Sequence, residues 1–368
     1  MASVNPESKS NHVLSYSPQL DGLRAIAVGM VVVVHFVGGN GLGRGGWIGV
    51  DVFFVLSGFL ITTLLINEAD RTPAKRFSLV KFYVRRIFRL WPAYFAFVLG
   101  AMLYAAVWQP HNFAIWFHQL LLSALFYLNV YATSHETVMG IGQLWSLCVE
   151  EQFYIIWALI LLACCTWATR RTTAIVAASG AIASTVISVV LVADGASWWR
   201  LYHALDTNAV SLLLGALAGL AFAGGHLDGL ARPRLANWVV ALFLFVTAGW
   251  FLGITNVNTW IYAGPIQFFC ALTALAIVLL VLVPAAPIGR ILSGSAIVWV
   301  GKLSYSIYLW NELVIAAVPK THGSVISRAA HLLAEIILIA VLSLASYYGV
   351  ERWGLRVKNR FFEPRRMT

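Results

Sequence analysis

Charge is scarce in this sequence. Of 368 residues, 11% are Asp, Glu, Lys or Arg, against 60% hydrophobic side chains and a mean hydropathy of +0.80. That balance excludes an ordinary soluble domain and predicts an all-α polytopic membrane protein. Cysteine is scarcer still. Cys148, Cys164, Cys165 and Cys270 all fall inside apolar runs without metal-type spacing, which argues against a disulfide framework or a metal centre and leaves buried structural thiols. The opening stretch, MASVNPESKSNHVLSYSPQ, lacks the basic-then-apolar order of a cleavable signal. Residues 1–19 are therefore expected to form a disordered cytoplasmic N-terminus, followed by a retained first helix. No fixed-period repeat is evident, which counts against an inverted-repeat transporter. The net charge of +10 would suit nucleic acid, but the basic residues sit beside apolar spans, where membrane orientation and anionic lipid headgroups account for them. No nucleic-acid partner is expected.

Eleven apolar segments are present, near residues 20–38, 47–66, 90–108, 113–131, 144–165, 173–193, 205–223, 236–253, 262–283, 297–317 and 329–350. Charge placement separates ten spans from eleven. If the fourth segment does not cross, the flanking Lys and Arg residues divide 20 to 4 between the two faces; if it crosses, they divide 11 to 13. Ten transmembrane helices with both termini in the cytoplasm is the better arrangement. The segment FAIWFHQLLLSALFYLNVYA, with His118, Gln119 and Asn129, then becomes a re-entrant or interfacial helix whose polar groups protein must cover. Residues 20–350 form one membrane-embedded domain, and residues 351–368 a basic cytoplasmic tail.

Ionisable groups inside the spans carry the functional reading. Arg24 and His35 share the first apolar run; eleven residues of helix amount to about 1100°, so both side chains lie on one face about 16 Å apart. Charged groups at such depth are expensive, and functional use is the default hypothesis. The second span, GWIGVDVFFVLSGFLITTLL, holds Asp51 near its outer end, read either as a snorkelling acid or as a functional group. It also holds Ser57 with Gly58, whose commoner use is close helix packing. In KFYVRRIFRLWPAYF, Arg85, Arg86 and Arg89 stand at i, i+1 and i+4, as a clamp for a multiply phosphorylated ligand or as a plain positive-inside stop. Ser146, Glu150 and Tyr154 fall on one face of GQLWSLCVEEQFYIIW. Glu150 is a partner either for an imidazole or for an arginine inside the bundle. Ser304, Tyr308 and Asn311 form a further stripe, able to bind an acceptor or to glue helices.

Together these segments resemble the type-3 membrane acyltransferase family, from Leu20 to about Val350. The signatures are Arg24 with His35, GVDVFFVLSGFLIT, RRIFRLWPAY, LWSLCVEEQFY and SYSIYLW, in family order. The resemblance implies about ten helices, His35 as the catalytic residue with Arg24 in support, and Arg86 with Arg89 at the phosphates of CoA. One departure is that YLW is often followed by His, whereas this chain has Asn311. The additional extracytoplasmic hydrolase-like domain of some members has no counterpart in these 368 residues.

The expected activity is transfer of a short acyl group from acyl-CoA, a co-substrate rather than a tightly bound cofactor, to a hydroxyl of a cell-envelope glycan, glycolipid or macrolide. His35 is the expected general base or an acyl-relay residue, Glu150 or Asp51 its orienting carboxylate, and Ser57 or Tyr308 the oxyanion donor. No metal is required. The expected setting is a bacterial-type plasma membrane, with lipids as partners and self-association left open. The rival class is a transporter or channel for a polar or anionic solute, its charges lining the path.

Overall fold

The computed structural model describes residues 12–37, 42–74, 76–254, 258–318 and 324–362, with side chains as far as residue 357. Apolar runs of bilayer length become helices because backbone groups in lipid must be satisfied within the segment. In order they are α1 (Pro18–Val37), α2 (Gly49–Asp70), α3 (Leu79–Trp108), α4 (Phe113–Ala124), α5 (Leu128–Tyr131), α6 (Leu144–Trp167), α7 (Arg170–Ala193), α8 (Trp198–His203), α9 (Leu205–Ala223), α10 (Pro233–Gly253), α11 (Pro265–Leu282), α12 (Pro287–Leu292), α13 (Ser295–Ala317), α14 (Val325–Ala345) and α15 (Arg352–Phe362). No strand occurs among the described residues. Nine helical stretches among them are long and apolar enough to cross a membrane. The 23-residue α13 is a tenth long helix, made less apolar by Lys302, Asn311 and Glu312. The chain is an all-α polytopic membrane protein.

Helix ends follow local chemistry. Ser78, Thr169, Ser197 and Ser324 accept a backbone N–H at the starts of α3, α7, α8 and α14. Pro233, Pro265 and Pro287 occupy first turns, where a missing donor does no harm. Helix α3 begins well before the apolar run near residue 90, so Arg85, Arg86 and Arg89 project from a continuous 30-residue helix.

The segment at 113–131 breaks as its polarity suggests. Helix α4 has 12 residues, about 18 Å and well short of a hydrocarbon core of about 30 Å. It ends at Ala124, two residues before Phe126, which adopts φ of 56°. Protein covers its polar groups. Gln119 accepts from the Val138 N–H at 2.8 Å, and Asn129 exchanges hydrogen bonds with Gln152 at 3.2 and 2.9 Å.

At the other end, α14 passes through a π-helical turn, Ser346–Glu351, into α15. The segment expected as a basic tail is therefore helical to residue 362 and docks on α3; residues 363–368 lie outside the described residues. The contact is close enough that a Cβ on Gly354 would stand 2.2 Å from the Phe88 carbonyl oxygen.

Helices within the bundle also meet backbone to backbone. Between α2 and α9, a Cβ on Gly58 would stand 1.9 Å from the Leu212 carbonyl oxygen, and one on Gly215 would stand 2.1 Å from that of Val55. Between α1 and α13, a Cβ on Gly301 would meet the Asp21 carbonyl oxygen at 1.8 Å. Gly58 thus serves the close packing its sequence context suggested.

Gly215→Ala should therefore destabilise the detergent-solubilised protein by about 1–3 kcal/mol. Gly249→Ala, where nothing lies within 4 Å of the added carbon, should be neutral or slightly stabilising in the same thermal melt.

Candidate functional site

A cavity of about 1410 Å³ enters the bundle between α1, α2, α3, α6 and α13. Exposed Arg71 and Lys81 mark its mouth, and Ser57, Ser146 and Tyr308 its inner reach. Seven basic side chains line it: Arg24, Arg71, Lys81, Arg85, Arg86, Arg89 and Lys302. They face five carboxylates: Asp21, Glu68, Glu150, Glu151 and Glu351. The N-terminal segment before α1 closes one wall. His12 pairs with Asp228 at 2.5 Å and stacks on Phe222, while the Tyr16 hydroxyl donates to Asp21 at 2.8 Å. Residues 12–17 of the segment expected to be disordered thus follow a defined path; residues 1–11 lie outside the described residues.

The three arginines of α3 are differently employed. Arg85 pairs with Glu68. Arg86 donates to Glu151 at 3.2 Å and stacks 3.2 Å above the Tyr154 ring, so Tyr154 supplies an aromatic face to a buried cation. Arg89 forms no ion pair among the described residues and is exposed to the cavity. On α1, Arg24 also lines the cavity and donates to buried Asp21 at 2.9 Å.

Glu150 does not meet the imidazole. Its carboxylate accepts from Ser57 at 2.6 Å, so both the expected orienting acid and one expected oxyanion donor are spent on each other inside the cavity. Asp51 is also used elsewhere. It is buried between α2, α9 and α11 and accepts from Ser211 at 2.9 Å, with the Cys270 thiol beside that hydroxyl at 3.2 Å. Sequence periodicity ranks residues on one helix but not which neighbour each face receives, and both acids turn toward helices other than α1.

Ser304 and Tyr308 line the cavity on α13. The Tyr308 hydroxyl lies 2.5 Å from that of Ser146 and donates to the Gln143 carbonyl at 2.9 Å; its ring meets Phe53 edge-on. One turn further along α13, the side-chain amide oxygen of Asn311 is hydrogen-bonded to Nδ1 of His35. The ring's Nε2 lies 3.9 Å from the carboxylate of Glu312. Glu312 was missed in the sequence, although an acid in an apolar span next to Asn311 satisfied the criterion that singled out Glu150.

Beyond this point aromatic side chains gather. Tyr202 packs on Trp145 with centroids 4.6 Å apart, and His203 lies between Trp145 and Trp199. Burial pushes His203 down to about 4, which keeps it neutral and its cluster uncharged at physiological pH.

The family described as "Acyltransferase domain" matches residues 17–350. A peptidoglycan O-acetyltransferase of Listeria monocytogenes is 29% identical over 315 residues, which is 82% of this chain and 49% of that protein. A putative O-acetyltransferase of Staphylococcus aureus is 32% identical over 318 residues, 83% of this chain and 52% of its own. A putative peptidoglycan O-acetyltransferase of Bacillus subtilis is 30% identical over 358 residues, 92% of this chain and 54% of its own. The chain thus spans about half the length of these relatives. No solved structure matches.

Two of the cavity's three acid–arginine pairs should respond differently to loss of charge. Glu151→Leu leaves a cation of 15% side-chain exposure without its hydrogen-bonded partner and should lower stability by about 3 kcal/mol in a detergent unfolding titration. Glu68→Gln, in a pair 27–32% exposed, should cost under about 1 kcal/mol.

Proposed function

The chain belongs to the acyltransferase-domain family, and on that premise we propose that it transfers an acyl group, acetyl foremost, from acyl-CoA to a hydroxyl of a cell-envelope glycan. The observation that carries the reading is the cavity itself: a basic mouth leads to a polar inner end one helical turn from an imidazole. Two of the relatives act, by their names, on peptidoglycan, which favours a glycan acceptor over a macrolide.

In this reading the nucleotide phosphates rest at the cytoplasmic mouth. Arg89 is the foremost ligand, because its guanidinium has no competing carboxylate in an ion pair among the described residues, whereas Arg85 and Arg86 do. The pantetheine arm follows α1 inward over the rise of about 16 Å between Arg24 and His35. The thioester passes Tyr308 to reach the imidazole. An acceptor hydroxyl attacks the thioester carbonyl, its proton passes to His35, a carbon–oxygen bond forms and the carbon–sulfur bond breaks. The proton returns to the departing thiolate, giving free CoA thiol and regenerating the base.

Purified protein given acetyl-CoA and a panel of glycan acceptors should release CoA thiol only when an acceptor is present, with acetylated product identified by mass spectrometry. Solute flux without thiol release would instead indicate a transporter. His35→Ala should lower turnover at least about a hundredfold while leaving CoA binding intact, and full activity in that variant would remove His35 from the mechanism. Arg89→Met should raise KM for acetyl-CoA about tenfold, equivalent to about 1.4 kcal/mol, and more than Arg85→Met does.

A further inference from the structure

We infer that two consecutive residues of α13 are positioning residues for His35: Asn311 fixes its ring proton on Nδ1, and Glu312 holds a carboxylate against Nε2. The inference rests on the reading of His35 as the base, and it assigns the orienting work to neither Glu150 nor Asp51.

The hydrogen-bond inventory of Asn311 leaves one solution. Its amide nitrogen carries two hydrogens, and both have acceptors, the carbonyl oxygens of Ile307 at 3.0 Å and Tyr308 at 2.7 Å. The atom turned to the imidazole is therefore the amide oxygen, which can only accept. Nδ1 must donate to it. A neutral imidazole protonated on Nδ1 presents a lone pair on Nε2, which is the form a general base requires. The opposite tautomer would set the Nδ1 lone pair against the amide oxygen. Asn311 is fully buried, and its own amide is anchored to α13, so reorienting it forfeits two hydrogen bonds.

Glu312 is fixed with comparable economy of means. One carboxylate oxygen accepts from the Gly140 N–H at 3.1 Å and the other from the Gln143 N–H at 2.9 Å. The Gln143 side chain donates to the Leu309 carbonyl at 2.8 Å, tying the loop back to the same helix. The 3.9 Å between Nε2 and the nearer carboxylate oxygen is too long for a hydrogen bond, so the lone pair stays available to an incoming hydroxyl. Once Nε2 has taken the hydroxyl proton, the imidazolium faces a carboxylate already in place. This is stabilisation that needs no reorganisation at the moment of reaction. Asn311 supplies orientation without charge, and Glu312 supplies charge without occupying the basic nitrogen.

Nitrogen-15 NMR of histidine-labelled protein, with the His35 signals assigned by difference from His35→Gln, reads the tautomer without reference to activity. At a pH where the ring is neutral, wild type should show a pyrrole-type Nδ1 and a pyridine-type Nε2, and Asn311→Leu a mixture of both tautomers. Asn311→Leu should also lose at least about tenfold in kcat with KM for acetyl-CoA unchanged. Glu312→Gln, which removes the charge and keeps an acceptor for one of the two loop N–H groups, should lower kcat about tenfold, while amide exchange stays near the wild-type rate at one of Gly140 and Gln143 and quickens at the other. A protonated Nε2 in wild type, or full kcat in Asn311→Leu, would overturn the role of Asn311. Full kcat in Glu312→Gln would overturn that of Glu312. Activity surviving in His35→Ala would sink the base reading instead, while the spectral assignment would still report whether Asn311 sets the tautomer.

Discussion

The backbone contact between α1 and α13 is the constraint from which the rest of the site is measured. Gly301 leaves no room for a side chain over the Asp21 carbonyl, and this contact brings the two helices together near the cavity. From there they run in the same direction, Asp21 holding Arg24 near one end and Asn311 holding His35 near the other. A packed glycine contact is stiff, because interiors are close to crystal density and transmit displacement rather than absorb it. The geometry between His35 and its partners on α13 is thus set by helix packing rather than by a loop. The loop at Gly140–Gln143 is joined to this frame from outside, and Glu312 and Leu309 clasp it.

Charge in the cavity follows a second rule. Cations taken from water into a bundle are stable when paired, and Arg24, Arg85 and Arg86 have carboxylates of their own. Arg89 differs from them in having no ion pair among the described residues. Basic side chains outnumber acidic ones around this one cavity, which gives it a positive field, and Arg89 shares with exposed Arg71 the lack of an ion pair among the described residues.

Much of this was readable from sequence because the bilayer leaves few choices. Helix number follows from apolar length, and the non-crossing segment at 113–131 from the distribution of Lys and Arg, since both are consequences of solvent. The stripe of Arg24 and His35 was also legible, because periodicity along one helix is local. Partnerships between helices were not. Glu150 and Asp51 are both acids in apolar spans, and nothing in their own segments says that Ser57 and Ser211 will take their hydrogen bonds. The partner of His35 lay in plain sight at a position where related sequences often place His. The sequence offers Asn311 as a group able to bind an acceptor or to glue helices, and does not show that its amide, with both hydrogens occupied, faces His35 as a one-way acceptor.

A cavity of about 1410 Å³ with a charged lining is a place for water, and water carries the electrical potential of the bathing solution inward with it. A voltage across the membrane falls mainly through low-dielectric material. With the cavity wet, that material is thinned to the protein beyond Tyr308, the direction along α13 in which His35 lies. Each elementary charge carried through the full drop changes energy by about 2.3 kcal/mol per 100 mV. On the proposed reading of His35 as the base, proton movement between hydroxyl, imidazole and thiolate would take place inside this compressed field and would sense the energised state of the membrane in which it occurs.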